Sequence, residues 1–275
     1  MKTRAFTLIE LLVVISIISL LSSVVLSNLN SAREKARLAA VGSFAAQADR
    51  IAGEQAVGVW DFDECSGSLA ADRSGFGNNG SVSGSPTWSS DTPTGRGCSL
   101  SLSGSAQYVN AGNGQSLNMG TGDMSLSVWV KTSSTASNLW IVDKKTAGTN
   151  NPGFDLSTIG TLYFRIANGS SQIGVTATGG AVIGDGRWHH IVAVVNRSNS
   201  TLYLYIDGKL NNTNSFNNTW NLSGSDTLAF GGYGGGTGGN FPGSIDNVRL
   251  FSKILAASEV GDLYALESSH FFAAR

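Results

Sequence analysis

The sequence predicts a chain in two parts, a long N-terminal helix followed by an all-β sandwich. Three observations predict it: an apolar run over 6–26, strand-like alternation from Gly58 onward, and a composition low in charge and high in glycine. Only 13% of the 275 residues are charged, against ~25% in typical globular chains, while Gly supplies 35 and Pro 4. A hydrophobic content of 41% is too high for a disordered chain, and the length allows one or two domains with ample core. With 18 basic and 19 acidic residues the net charge is −1, so no phosphate-neutralising surface exists and sequence-independent nucleic-acid binding is not expected. Two Cys cannot make a four-thiolate metal site, and 3 His leave few catalytic bases.

The first element is the apolar helix. Lys2 and Arg4 lie just ahead of the run from Phe6 to Leu26, which as a helix rises ~31 Å, the hydrocarbon thickness of a bilayer. No charged residue occurs from Leu11 to Ala32. The short basic flank holds its end in the cytoplasm. A secretory signal would have a shorter apolar region and a small-residue cleavage site, so the segment reads as a retained anchor. Glu10 is the exception. A bare carboxylate at that depth costs about 2.5 kcal/mol or more, so it must reach the headgroups or find a partner.

The residues Arg4-Ala5-Phe6-Thr7-Leu8-Ile9-Glu10-Leu11-Leu12-Val13-Val14-Ile15 resemble the N-terminal signature of the type IV prepilins, the family of pilins and pseudopilins. The resemblance covers about the first 35 residues. It implies that a membrane peptidase cuts between Ala5 and Phe6, that the new Phe6 amine is methylated, and that Glu10 pairs with the Phe6 ammonium of a neighbouring subunit. In lipid such a pair is physically sensible, because each ion offsets the other's desolvation. Ala5 stands where the family usually has Gly, and Ser27 where many members have a kinking Pro. The implied partners are the prepilin peptidase, other pilin subunits and the inner membrane. The implied location is the cytoplasmic membrane of a prokaryote as precursor, then an extracellular filament.

Beyond the bilayer the helix is expected to continue. Asn28 to Ala56 contains no Pro, and Leu38, Val41, Phe44, Ala45, Ala48 and Ile51 recur at three- and four-residue steps. The expected organisation is a leader over 1–5, the helix over 6–56, a β domain over 57–265 and a tail over 266–275.

Strands then follow at short intervals. Met124 to Lys131 puts Met124, Leu126, Val128 and Val130 on one face. Thr161 to Ala167 points Leu162, Phe164 and Ile166 inward, with Tyr163 and Arg165 opposite. His190 to Val195 is apolar on both faces, hence central. Thr201 to Asp207 alternates again and enters the tight turn Asp207-Gly208. Gly243 to Phe251 closes the set.

Six segments in order resemble the laminin-G-like, concanavalin A-like jelly roll, from about Val57 to Tyr264. They are Trp60-Asp61-Phe62-Asp63-Glu64 with Ser66-Gly67, Asp72 to Gly80, Gly95 to Leu100, Trp188-His189-His190, Tyr205-Ile206-Asp207-Gly208, and Ile245-Asp246-Asn247-Val248-Arg249. The resemblance implies two stacked antiparallel sheets whose first and last strands pair, and a binding or packing module. It also implies that Cys65 and Cys98 lie close together. An exported domain with an even Cys count favours a disulfide, with two free buried thiols as the alternative. Relatives often hold Ca²⁺ near the paired end strands, which here offers Asp63, Asp72, Asn79 and Asp246 as oxygen donors; the alternative is that the turn residues only satisfy backbone groups.

No catalytic set is expected. Trp188-His189-His190 lacks a nearby third zinc donor, since His270 is distant, and its His flank a buried strand. Asp61, Asp63 and Glu64 lie on the opening strand rather than across a substrate. The Gly231 to Gly239 run lacks the Gly-Lys-Ser/Thr of a P-loop. Sugar rings stack on exposed aromatics, and Trp88, Trp140, Trp220, Tyr233 and Phe241 sit in or beside loops, whereas Trp60 and Trp129 suit a core. No ligand residue follows from this. The chain reads as a non-enzymatic pilin-like filament subunit displaying a jelly roll for adhesion or assembly. The alternative is a lectin-like protein for glycans or matrix that uses the leader only for export.

Overall fold

The computed structural model of the chain describes residues 8–19, 21–22, 55–145, 150–179, 183–233 and 240–268. Ala5, Phe6 and the amphipathic continuation over 28–54 lie outside them. Residues up to Asp49 and from Arg50 form separate compact units.

Residues 8–19 and 21–22 are helical (α1), with Leu8, Ile9 and Leu11 among its exposed apolar side chains. Ser16 Oγ donates to the Leu12 carbonyl and Ser19 Oγ to that of Ile15, each at 2.8 Å. Both hydroxyls are thereby satisfied within the helix, as an apolar surrounding requires. Among the described residues no helix is long and apolar enough to cross a membrane.

The second unit is a sandwich of two eight-stranded antiparallel sheets. In chain order the strands are β1 Ala56–Trp60, β2 Leu69–Ala70, β3 Gly80–Ser83, β4 Thr87–Ser89, β5 Ser99–Ser103, β6 Tyr108–Gly112, β7 Met124–Lys131 and β8 Leu139–Asp143. They continue as β9 Gly153–Thr158, β10 Leu162–Ala167, β11 Gln172–Thr176, β12 Trp188–Asn196, β13 Thr201–Ile206, β14 Lys209–Ser215, β15 Leu228–Phe230 and β16 Pro242–Phe251. Sheet A runs β14-β13-β12-β7-β16-β5-β4, with β1 also paired to β16; sheet B runs β11-β10-β9-β8-β15-β6-β3-β2.

The two-residue alternation builds the core. Met124, Leu126, Val128 and Val130 of β7 meet Leu162, Phe164 and Ile166 of β10 in one cluster between the sheets. β12 lies between β7 and β13, as its two apolar faces require. Its Ile191, Ala193 and Val195 enter that cluster, while Val192 and Val194 enter a second one on the outer face of sheet A. The first and last strands pair, Trp60 opposite Val248.

A helix that the alternation did not reveal covers that outer face. α2, Ala257–Glu267, packs Val260 and Leu263 against Val192, Val194, Tyr205 and Phe251. Its start is held by Glu259 Oε2, which accepts the Ala256 N–H at 2.7 Å. It crosses the expected boundary at 265/266. Glu267 and Ser268 are buried, so residues 266–268 belong to the packed domain and not to a tail. Residues 269–275 lie outside the described set.

Cys65 and Cys98 are disulfide-bonded, with Cα atoms 5.3 Å apart. Gly97 beside them has φ +67, and a Cβ there would lie 1.7 Å from Asp63 Oδ1, so both conformation and space demand glycine. The bridge closes a separation of 33 residues. Removing it by Cys65→Ser with Cys98→Ser is expected to cost about 3–4 kcal/mol, because the unfolded chain regains that loop's freedom. Denaturant melts of the two forms check this; a difference under ~1 kcal/mol would contradict it.

Candidate functional site

A cleft of about 440 Å³ opens at one end of sheet A, beside α2. Five separate stretches build it: the segment after β4 (Asp91), the end of β7 (Trp129, Lys131), the run from the preceding loop into β12 (Asp185, Arg187, Trp188, His189), the β13–β14 turn (Asp207) and α2 (Tyr264). The turn is tight because Asp207 and Gly208 take φ of 50 and 75, the geometry that a two-residue hairpin needs.

Each charge in the cleft is held in place. Asp91 Oδ2 accepts from Lys131 Nζ at 2.5 Å, and its Oδ1 accepts from Trp188 Nε1 at 3.0 Å. These bonds hold its carboxyl below the usual range against the opposing effect of burial. His189 bridges two carboxylates, Nδ1 to Asp207 Oδ2 at 2.8 Å and Nε2 to Asp185 Oδ1 at 3.0 Å. The Asp207 bond, aided by Asp185, raises its pKa despite desolvation. With both ring nitrogens facing carboxylates, the imidazolium is the favoured form. Asp207 Oδ1 also accepts the His190 N–H at 3.0 Å and so ties the turn to the strand.

Trp129 forms the floor. Its ring packs against both His190 and Tyr264, with centroids 5.1 and 5.7 Å away, and those two rings lie 6.2 Å from each other. Its Nε1 donates to Glu267 Oε2 at 2.5 Å, and Arg249 Nη1 donates to Glu267 Oε1. His190 is fully buried against Ser127 Oγ at 2.8 Å. Desolvation, with the nearby Arg249, lowers its pKa to about 4, so it is neutral.

The two histidines therefore act in opposite directions on pH stability. The raised His189 stabilises fully below its unfolded value of ~6.5, and that contribution is lost as pH rises through the folded value. The depressed His190 favours the neutral form, and its contribution is lost as pH falls from ~6.5 towards about 4. His189→Asn is expected to lower the melting temperature below pH ~6.5, where the contribution is full, and to flatten the decline on the alkaline side. Thermal melts of both proteins across that range provide the check.

Each of the four oxygen donors expected to hold calcium accepts a backbone N–H, Asp246 Oδ1 that of Asn247 at 2.8 Å. Asp72 Oδ1 accepts from the N–H of Val59 at 3.0 Å and of Ser74 at 2.9 Å, and its Oδ2 accepts that of Asn78 at 2.8 Å. Asn79 Oδ1 accepts the Asp72 N–H at 2.9 Å, and Asp63 Oδ1 that of Cys98 at 3.1 Å. Asp246 is buried, and desolvation pushes its carboxyl well above the usual range. No group of three or more His, Cys, Asp or Glu able to hold a metal occurs among the described residues. Asp61 and Glu64 lie just past the opening strand, which ends at Trp60, and not on it; Asp61 pairs with Arg73 at 2.6 Å, and Glu64 Oε1 accepts the Ala71 N–H at 3.1 Å.

The expected stacking aromatics are scattered. Phe241 is fully buried, Trp220 packs on the core, and Trp88 leans on Phe62 with its Nε1 on the Gly67 carbonyl. Only Trp140 and Tyr233 meet, edge to face at 5.7 Å. Trp60 and Trp129 are buried, as a core reading of them requires. His270 and most of the Gly231–Gly239 run lie outside the described residues. The cleft residues Asp91, Asp185 and Tyr264 carried no signal in the sequence, because no local spacing links five distant segments.

Comparison with known proteins agrees with this architecture. Residues 1–26 match the prokaryotic N-terminal methylation motif, and residues 103–261 match the concanavalin A-like lectin/glucanases superfamily. Among curated proteins no sequence matches. The fold is similar to the binding domain of Paraclostridial Mosquitocidal Protein 1, with TM-score 0.64 and 18% identity over 80% of this chain and 53% of that one. It is also similar to the binding domain of botulinum neurotoxin DC in complex with SialylT, with TM-score 0.62 and 19% identity over 78% and 52%. The same toxin domain in complex with rat synaptotagmin II gives TM-score 0.61 and 20% identity over 78% and 52%. The chain thus spans about half the length of these solved structures, and identities this low speak for the fold alone. The chain belongs to the concanavalin A-like lectin/glucanases superfamily and carries that domain behind an N-terminal methylation motif.

Proposed function

We propose that this chain is a type IV pilin-like filament subunit that carries a ligand-binding sandwich on the cell surface. The observation that carries the reading is the fusion itself: a methylation motif over 1–26 joined to a lectin-like fold with an open cleft. In this reading the prepilin peptidase cuts before Phe6, the new amine is methylated, and the apolar helix enters a filament core with other subunits. The domain is then outside the cell, where the disulfide is stable.

The cleft suits a polyhydroxylated ligand. Carboxylates and cations in fixed positions offer both acceptors and donors to hydroxyl groups, while Tyr264 and Trp188 line it with aromatic surface. That one fold neighbour is a toxin binding domain described in complex with SialylT supports a glycan as the class to try first.

Mass spectrometry of sheared filaments tests the first part. The expected chain begins at N-methylated Phe6; assembled material that keeps Met1 would overturn it. A glycan array probed with the same filaments tests the second. Arg187, at the rim with its side chain 84% exposed, is the position to vary. Arg187→Glu is expected to weaken retention without loss of fold, and no retention of any glycan by the parent filaments would reject the glycan reading. A chain anchored in the membrane yet absent from filaments would instead favour export as the leader's only role.

A further inference from the structure

Sheet B holds a second group of buried charges that neither the cleft nor the core uses. Asp143 ends β8, Asp155 lies opposite it on β9, and Arg165 lies opposite Asp155 on β10. Residues directly across an antiparallel pair share a face, here the face turned away from Phe154, Leu156 and Phe164 of the core. Lys145, two residues after Asp143, brings its Nζ to 3.6 Å from Asp155 Oδ2, and both side chains are completely buried.

The Asp155 carboxyl is fixed on both sides. Arg165 Nε donates to its Oδ2 at 2.8 Å, and Ser157 Oγ donates to its Oδ1 at 2.9 Å. Asp143 is the anomaly. It is 1% exposed, and among the described residues neither of its oxygens has a hydrogen-bond partner. Two orphaned acceptors at full burial are costly for an ionised carboxyl. Burial first, and then the charge of Asp155, push its pKa up to about 8, so it holds a proton at neutral pH. Burial also lowers the pKa of Lys145, towards a nucleophilic amine.

A primary amine, a clamped carboxyl and a protonated acid therefore share one dry site. We propose that Lys145 and Asp155 join in an intramolecular isopeptide bond, with the Asp143 carboxyl relaying the protons. Lys145 Nζ attacks Asp155 Cγ, and the Cγ–Oδ1 bond breaks. Two protons pass in turn from Nζ to the departing oxygen by way of Asp143, which gives its own first and is reprotonated by Nζ each time, so the oxygen leaves as water and Asp143 ends protonated as it began. Overall one ammonium and one carboxylate become one amide and one water, with no oxidant, metal or cofactor. Oδ2 stays on Arg165 as the amide carbonyl. Amide formation is uphill between free groups in water. Fixed neighbours react with effective molarities on the order of 10⁵–10⁸ M, and the burial that excludes water opposes the reverse step. The product also removes a buried ion pair, whose desolvation is a standing cost.

Tryptic mapping of the full chain tests this directly. The linked protein yields a peptide that runs through Lys145 to Arg165 uncut after Lys145, lighter than the linear sequence by one water, with fragment ions that join the two positions. Asp155→Asn should give the same linked peptide by loss of ammonia. Lys145→Arg should give only linear peptide. Asp143→Asn, which keeps both joining groups, should leave most of the chain unlinked. Parent protein cleaved after Lys145, with the following peptide at full mass, would overturn the proposal. A peptide lighter by one water but still cleaved after Lys145 would also overturn it, because it marks a cyclic imide at Asp155. If Asp143→Asn links as completely as the parent, the relay assigned to Asp143 is wrong.

Discussion

Glu10→Gln is expected to insert in the membrane and lose its leader normally, yet to be absent from filaments when it is the sole copy. Neither insertion nor cleavage needs the charge; a neutral amide is in fact easier to place in lipid than a carboxylate. In the proposed filament, assembly does need it. Once the leader is removed, each incoming subunit brings one ammonium at Phe6, and the Glu10 carboxylate of a neighbour is the complementary ion within reach of the same apolar layer. The pair sets an axial register, because a subunit displaced along the filament would leave both ions unmatched in a low-dielectric surrounding. The expected readout is complete loss of the variant from sheared filaments, with normal amounts in the membrane fraction. Co-expression with the parent chain should restore partial entry. Normal incorporation of the variant alone would show that Glu10 serves only to reach the headgroups.

Glu267→Ala is expected to be among the most destabilising single changes in the sandwich, by about 3–5 kcal/mol, as for other buried ion pairs that lose one partner. Glu267 is 4% exposed and Arg249 8%. The carboxylate serves two groups at once, Arg249 through Oε1 and Trp129 Nε1 through Oε2. Truncation leaves a guanidinium and an indole N–H buried against α2, with water unable to replace the lost acceptors. The Trp129 floor of the cleft loses its anchor in the same step. Glu267→Gln, which keeps an acceptor for the indole, is expected to fall between the parent and the alanine variant. Urea unfolding of the three chains measures the effect, and a loss under ~1 kcal/mol for alanine would mean that the α2 layer contributes little.

Much of this was legible from local pattern. An apolar run behind a short basic flank read as a prepilin-like N-terminus, and residues 1–26 match the methylation motif. Period-two alternation identified β7, β10, β12 and β13 and the faces they bury, because side-chain direction along a strand follows from backbone geometry alone. The turn at Asp207-Gly208 was equally local. α2 was not set apart: its packing face rests on Val260 and Leu263, and the strand face that it covers becomes visible only once β7, β12 and β16 are side by side.

What only the tertiary structure decided is everything that depends on non-local pairing. Asp72 and Asn79 read either as cation donors or as turn residues that satisfy backbone groups, and only the fold shows the N–H groups of Val59, Ser74 and Asn78 on the Asp72 oxygens. His189 and His190 are neighbours in sequence with opposite fates, since successive residues on a strand face opposite sides and meet different surroundings. Asp143, Lys145 and Asp155 are unremarkable in a row of loop and strand letters. Their proximity follows from the β8–β9 register, and register sets which charges are buried together. By itself the sequence determined the class of each segment, because periodicity and composition are properties of the chain. The chemistry of each site was decided by the fold, because desolvation and hydrogen bonding depend on what lies opposite.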